Sequence, residues 1–197
     1  MQRAAIETIV FLLLVAAGAA SRVFFRDVPN FAPIAAMALF AGYFFRRAWL
    51  APVLPLLALA ISDPFIGFYD WKLMVVVYSM LTLPAALGPL TRHFLAIERR
   101  QISTTVRSLV GLVTCSLGCS LSFFLVTNFA CWYGSEWYPQ NWQGLTTCFA
   151  AALPFFKYTL LGDLFYASAL FGGYALAINL KWLSAAETKL AELPVEA

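Results

Sequence analysis

Long apolar segments follow one another along this chain, separated by short stretches that are polar, basic or rich in proline. A helix needs roughly 20 mostly apolar residues to cross the hydrocarbon core of a bilayer. The pattern therefore predicts an all-α integral membrane protein with six transmembrane helices in a single transmembrane domain. The predicted spans cover about residues 4–23, 31–45, 48–68, 73–90, 104–130 and 155–178.

One further apolar segment, residues 145–153, is too short to span a bilayer. Pro154 separates it from the last span, and we predict a short re-entrant or interfacial helix there.

The start of the chain has two interpretations. Arg3 precedes an apolar run, and small residues between Ala16 and Ala20 follow it, as in a cleaved signal peptide. The first span is the better interpretation, because every later segment is also predicted to be embedded in the membrane.

Basic residues set the predicted orientation, because Lys and Arg concentrate in cytoplasmic loops. With both termini in the cytoplasm, only four of the 13 Lys and Arg residues lie at the outer side: Arg22, Arg26, Lys72 and Lys157. The outer loops are then residues 22–30, 67–72 and 131–143.

The third outer loop is unusually aromatic. Residues 132–142 include Trp132, Tyr133, Trp137, Tyr138 and Trp142. Such rings anchor helix ends at membrane interfaces. Their density in one loop also fits a lid that stacks on a flat, amphipathic ligand.

Three ionisable residues interrupt apolar segments, where charge is costly and indicates function or pairing. Asp63 lies near the outer end of the third span, Lys157 can reach the interface, and Asp163 needs a partner from another helix. A structural clamp and a ligand contact both remain open for Asp163. Ala16 and Ala20, four residues apart, suit close helix packing within the chain or docking of a partner protein.

Composition narrows the function. The chain is 62% hydrophobic and 12% charged, which leaves no room for a separate soluble domain. No phosphate-binding loop, zinc motif or hydrolase triad is present, so we expect neither an enzyme nor a cofactor of its own. The net charge of +3 fits anionic lipid rather than nucleic acid. Cys131 and Cys148 fall on one side of the membrane, and their pairing stays open.

Two strings carry a family resemblance. Residues 28–36 read VPNFAPIAA, and residues 52–63 read PVLPLLALAISD. They resemble the substrate-binding S-components of energy-coupling-factor (ECF) vitamin transporters. Residues 124–129 and 153–163 are similar to the BtuM-like branch, which transports cobalamin. The resemblance covers about residues 22–172.

The resemblance implies six helices and a ligand bound at the periplasmic face by the first, third and fifth loops. It implies cobalamin (vitamin B12) or a related corrinoid as the transported ligand, with uptake across the bacterial inner membrane. An energy-coupling transmembrane and ATPase module, or none, would complete the transporter, and Ala16 and Ala20 would meet such a module.

The sequence departs from the BtuM-like pattern at one position. Where those proteins carry a cobalt-ligating cysteine, this chain has Met80. A thioether is a weak, neutral ligand, so Met80 is either an axial cobalt ligand without thiolate chemistry or a packing residue.

Together these arguments predict a ligand site from four regions of the chain. Its members are Asn30, Phe31, Asp63, Tyr69, Asp70, Trp71, Tyr78, Met80, Trp132, Tyr133, Trp137 and Tyr138. Two alternatives remain: an S-component-like transporter for another vitamin or small metabolite, and a membrane scaffold that transports nothing.

Overall fold

The computed structural model describes residues 2–28, 30–95, 102–134 and 136–191. Arg99 and Arg100, which contribute to the predicted inner charge, lie outside these residues. Every regular element in the described part is helical. The helices are α1 (Gln2–Phe24), α2 (Ile34–Phe44), α3 (Leu50–Ile66), α4 (Trp71–Thr82), a 3-10 turn (Leu83–Leu87), α5 (Gly88–Phe94), α6 (Ile102–Gly134) and α7 (Trp142–Ala191).

Four helical stretches are long and apolar enough to cross a membrane: Ala4–Phe24, Trp71–Phe94, Val106–Gly134 and Trp142–Leu180. Helices α2 and α3 are apolar but shorter. The exposed surface of these helices is rich in Leu, Ile, Val and Phe, as expected where lipid is the solvent. The protein is therefore an all-helical membrane protein.

Helix α2 is the centre of the bundle. Nine of its 11 residues are buried, and it packs against α3, the 3-10 turn, α5 and α7. Four alanines and Gly42 give α2 small side chains, so the backbones of the neighbouring helices approach it closely. Its few large side chains, including Met37, Leu39 and Phe40, fill the spaces between those neighbours.

The predicted fourth span is present but interrupted. Helix α4 passes into the 3-10 turn at Leu83, and Pro84 follows immediately. Proline lacks the backbone N–H that would continue the α-helical ladder. At this break Gly88 meets α2, where a β-carbon would overlap the carbonyl oxygen of Gly42.

The side chain of Arg92 also stabilises the contact between α5 and α2. Its guanidinium donates hydrogen bonds to three carbonyl oxygens at the end of α2, those of Gly42 (2.9 Å), Tyr43 (3.0 Å) and Phe45 (2.5 Å). The last carbonyls of a helix have no partner within the helix. Arg92 supplies that partner and attaches α5 to α2.

The predicted separation of residues 145–153 from the last span is wrong. Helix α7 runs without interruption through Pro154. A proline removes one helical hydrogen bond, and membrane helices tolerate it where surrounding groups satisfy the freed carbonyl. Fifty residues give a helix about 75 Å long, well beyond the hydrocarbon core.

Helices α6 and α7 form an antiparallel hairpin. Cys148 meets Asn128, and Ser120 meets Asp163 farther down. Leu73, near the start of α4, shares a cavity wall with Phe123 of α6. The part of the hairpin beyond Phe123 therefore extends past the start of α4. We call this part the projecting hairpin (residues 124–156).

The contact between α2 and α5 generates a test. In Gly88→Ala the new methyl group meets backbone that cannot rotate away, so we expect a loss of about 1–3 kcal/mol and a lower Tm. Gly118→Ala is the matched control, since a β-carbon there meets nothing within 4 Å and a helical alanine is favoured over glycine. Thermal unfolding of the detergent-solubilised protein measures both, and equal melting of Gly88→Ala and the parent would refute the close approach.

Candidate ligand-binding site

A buried ion pair joins three helices at one end of the bundle. Arg22, in the last turn of α1, donates from Nη1 to Asp63 Oδ1 at 2.5 Å and to the hydroxyl of Ser62. Tyr78 of α4 donates its hydroxyl hydrogen to Asp63 Oδ2. Both carboxylate oxygens of Asp63 therefore have a donor, and α1, α3 and α4 are held together through one side chain.

This cluster is stable because its charge is paired. Asp63 is 1% exposed, and an unpaired carboxylate at such a place is strongly unfavourable. The side chain of Arg22 is 15% exposed, so water screens the pair only weakly. Asp63 thus fixes the position of the Arg22 guanidinium.

A cavity of about 360 Å³ opens beside Arg22. It lies between the segment that connects α1 to α2 and helices α3, α4, α6 and α7. Its wall is mostly apolar, with polar groups at separate points. The lining residues are Arg22, Phe25, Arg26, Val28, Asn30, Phe31, Ala32, Ala35, Ile66, Tyr69, Leu73, Val77, Leu81, Phe123, Thr159 and Asp163.

A second cavity of about 190 Å³ adjoins the first along the projecting hairpin. The two share five lining residues: Asn30, Leu73, Val77, Phe123 and Thr159. The second adds Thr127, Asn128 and Cys131 from α6, and aromatic and small residues from α7. The two spaces form one continuous groove, which we call the ligand groove.

Asp163 is the most unusual group in the groove. It is 4% exposed, and its Oδ2 accepts a hydrogen bond from the Ser120 hydroxyl at 2.6 Å. Within the described residues no Lys or Arg forms an ion pair with it. A buried carboxyl group that lines a cavity and has one hydroxyl partner is suited to receive a hydrogen-bond donor from a ligand.

Positive charge lies elsewhere on the same wall. Arg22 and Arg26 both line the first cavity, and the Arg26 side chain is 59% exposed with only a 4.0 Å contact to Asp27. Tyr69 is near the same charges. Partial burial raises the pKa of Tyr69, the charge of Asp63 raises it further, and Arg22 opposes both. The Tyr69 hydroxyl is therefore a neutral donor at physiological pH.

The structure brings five of the predicted site residues together. Asn30, Phe31 and Tyr69 line the first cavity. Asn30 has a positive φ of 60°, a left-handed conformation that asparagine tolerates better than most residues. Asp63 and Tyr78 lie behind Arg22 and position it rather than face the space.

Three other predicted residues have different surroundings. Asp70 caps α4 by accepting hydrogen bonds from the backbone N–H groups of Lys72 and Leu73, both at 3.0 Å. Trp71 lines a separate, apolar depression on the lipid side of α4. Met80 is half-buried and does not line the ligand groove, because Val77 and Leu81 occupy the face of α4 that does.

The four aromatic residues predicted as a lid also lie outside the groove. Trp132 and Tyr133 belong to the last turns of α6 instead of a loop. Trp137 and Tyr138 are in the connection at the tip of the projecting hairpin, where Trp137 is 79% exposed. The length of α6, underestimated from the sequence, carries these rings away from the cavity beside Arg22.

Ala16 and Ala20 are on the exposed face of α1. The opposite face carries Gly18, where a β-carbon would come within 2.8 Å of Met37. Close packing within the chain therefore uses Gly18, and the predicted docking pair is left accessible to lipid or to a partner.

The sequence indicated Arg22 only as part of the outer-side charge, whereas in the structure it lines the cavity. A signal existed, since an arginine in the last turn of one span and an aspartate at the same end of another can pair. The pairing itself required knowledge of which helices are neighbours.

The ion pair predicts a graded loss of stability. Asp63→Asn leaves the Arg22 charge buried without a counter-ion, and we expect a cost of about 3 kcal/mol. Tyr78→Phe removes one hydrogen bond to the carboxylate and should cost about 1–2 kcal/mol. Asp70→Asn is the control, because asparagine caps a helix as well as aspartate. If Asp63→Asn and Asp70→Asn melt at the same temperature in detergent, the ion pair does not hold the helices together.

Comparisons with known proteins add a family but no activity. A family profile described as "Family of unknown function (DUF6580)" matches residues 2–186. No curated protein and no solved structure matches the chain. The match covers nearly all of the sequence, and it includes every helix that lines the ligand groove. The chain therefore belongs to the DUF6580 family.

Proposed function

We propose that this protein binds a small organic ligand in the ligand groove and carries it across the membrane, in the manner of an S-component. The observation that carries the proposal is the groove itself: an apolar space at one end of a membrane bundle, with Asp163 and Arg22 on its wall. Ligand sites have this composition, mostly apolar with a few placed polar groups.

The proposal includes six membrane spans with both termini in the cytoplasm. Helix α2, about 16 Å long, cannot cross the core alone. Protein surrounds it on nearly all sides, so its ends need not reach lipid headgroups. The ligand groove then opens to the periplasm, at the ends of α1 and α3, and the bacterial inner membrane is the proposed location.

The polar groups define the ligand class. A hydrogen-bond donor or cationic nitrogen on the ligand would satisfy Asp163, and an acceptor or anionic group would meet Arg22 and Arg26. The apolar wall between them, with Phe31 and Phe123, suits a ring or an alkyl chain. We infer a vitamin or small metabolite that carries polar groups at two ends.

The family resemblance favours a corrinoid, whereas the dimensions of the groove favour a smaller ligand. A corrinoid, with its macrocycle and amide side chains, is much larger than the two spaces of about 360 Å³ and 190 Å³ that form the groove. It would enter only if the projecting hairpin moved. Met80 does not face this space, so its proposed ligation of cobalt would need a different ring position.

Partners remain part of the proposal. The exposed face of α1 around Ala16 and Ala20 offers a smooth surface for an energy-coupling module, and a solitary transporter would leave the same face to lipid. A scaffold without a ligand is the competing function. It would keep the fold and show no stabilisation by any small molecule.

Ligand-dependent stability separates these functions. We would measure the Tm of the purified protein with cobalamin and, separately, with thiamine, riboflavin, biotin, pantothenate and folate. A ligand at 100 times its Kd should add about 2.7 kcal/mol, which raises the Tm by several degrees. A shift with cobalamin supports a corrinoid as the ligand, and a shift with a smaller vitamin supports a transporter for another vitamin or small metabolite. No shift with any member of the set would favour the scaffold.

Asp163→Asn tests the assignment of the groove. The amide keeps the shape but replaces one carboxyl oxygen, an acceptor, with an NH2 group, a donor, so we expect the ligand-induced rise in Tm to fall to a small fraction of the parent value. Asp27→Asn is the matched control, since the side chain of Asp27 is 92% exposed and does not line the groove. An unchanged shift in Asp163→Asn would place the ligand elsewhere.

A further inference from the structure

The projecting hairpin has few neighbours to hold it. Beyond Phe123, α6 packs against α7, and it shares the second cavity with Asn30, Leu73 and Val77. Large apolar side chains there are exposed, including Leu125, Phe129 and Leu153. An element with so little packing needs another constraint to keep its two helices in register.

Two cysteines lie in this part of the chain. Cys131 is in the last turn of α6, and Cys148 is in the second turn of α7. The thiol of Cys148 donates a hydrogen bond to the carbonyl oxygen of Asn128 at 3.5 Å. Asn128 is three residues before Cys131, so both lie on the face of α6 that meets α7.

The Cys148 thiol lies against the turn of α6 that carries Cys131. The two cysteines therefore face each other across the contact between α6 and α7, the placement from which a disulfide between two helices forms. Cys148 is 2% exposed, so it has no access to other protein thiols once the hairpin has formed. Cys131 and Cys148 are the two cysteines of the projecting hairpin.

Hydrogen bonds hold residues 139 and 140 of the connection against the end of α6. Trp132 donates from its indole nitrogen to the carbonyl oxygen of Pro139 at 3.0 Å, and Gln140 donates to the carbonyl oxygen of Trp132 at 2.6 Å. These bonds fold the connection back on α6. A covalent link directly below would close the loop without distorting it.

We propose that Cys131 and Cys148 form a disulfide bond in the membrane-embedded protein. The step is thiol–disulfide exchange: both S–H bonds break, one S–S bond forms, two protons are released, and two electrons reduce the disulfide of a periplasmic thiol oxidase. The proposal rests on the orientation given above, which puts the projecting hairpin on the oxidising side of the membrane. It does not depend on the identity of the ligand.

The other two cysteines are internal controls. Cys115 and Cys119 are one turn apart on α6, within the bundle. Their β-carbons point the same way from a single helix, which a disulfide of ordinary geometry does not permit. They stay reduced.

The linkage determines how the groove is built. Cys131 lines the second cavity, and Asn128 lines it one turn below. A disulfide to α7 fixes this wall of the second cavity. Breaking it frees the tip of the hairpin while the ion pair of Arg22 and Asp63 stays intact.

The test counts free thiols. Cells expressing the full chain are lysed directly in hot SDS that contains excess N-ethylmaleimide, so that buried free thiols are alkylated as the protein unfolds, and the protein is weighed intact. We expect two alkyl groups on the parent, and four after reduction, because the chain has four cysteines. Cys115→Ser with Cys119→Ser should carry none before reduction and two after it. Cys131→Ser with Cys148→Ser should carry two under both conditions.

A peptide map identifies the linked pair. Four alkyl groups on the unreduced parent would overturn the proposal, and so would a disulfide that includes Cys115 or Cys119. Reduction should also lower the Tm of the parent by about 5 °C, as for a loop of this length, and leave the Cys131→Ser, Cys148→Ser variant unchanged. The vitamin stability assay, run on that same variant, reports separately on ligand binding.

Discussion

Arg22 and Asp63 set the geometry of one end of this bundle. An ion pair in an apolar interior holds its partners to one arrangement, because separation leaves either charge without solvation. Since the two residues lie at the ends of α1 and α3, and Tyr78 lies within α4, these three helices are joined at one point. The space between them and the α6–α7 pair is left open, and the groove exists because of that convergence.

The charges of the groove are separated by an apolar wall. Arg22 is neutralised from behind by Asp63, whereas Asp163 on α7 has only a hydroxyl partner in the described structure. The two groups therefore interact with different parts of a ligand: Arg22 offers an oriented cationic surface, and Asp163 offers a carboxyl group that can accept a further hydrogen bond. This asymmetry gives a bound molecule a direction, which a uniformly polar or uniformly apolar cavity would not do.

The sequence predicted the helical class, and it singled out Asp63 because charge within an apolar run is a strong local signal. It failed where the outcome depends on length or neighbours. Pro154 was interpreted as a helix end, yet the helix continues through it. The predicted fifth span ended near residue 130, which placed Trp132 and Tyr133 in the third outer loop. In the structure α6 includes both residues. Arg22 could not be paired without knowing that α1 packs against α3.

Helix α2 begins three residues after Phe31, which lines the groove, and ends at the carbonyls that Arg92 binds. It is short and enclosed by other helices, so we expect it to move as a rigid body. A displacement imposed at its first turn arrives at its last turn almost undiminished, because a helix of three turns hardly compresses. The groove and the contact made by Arg92 are in this way connected through the most deeply buried helix of the fold.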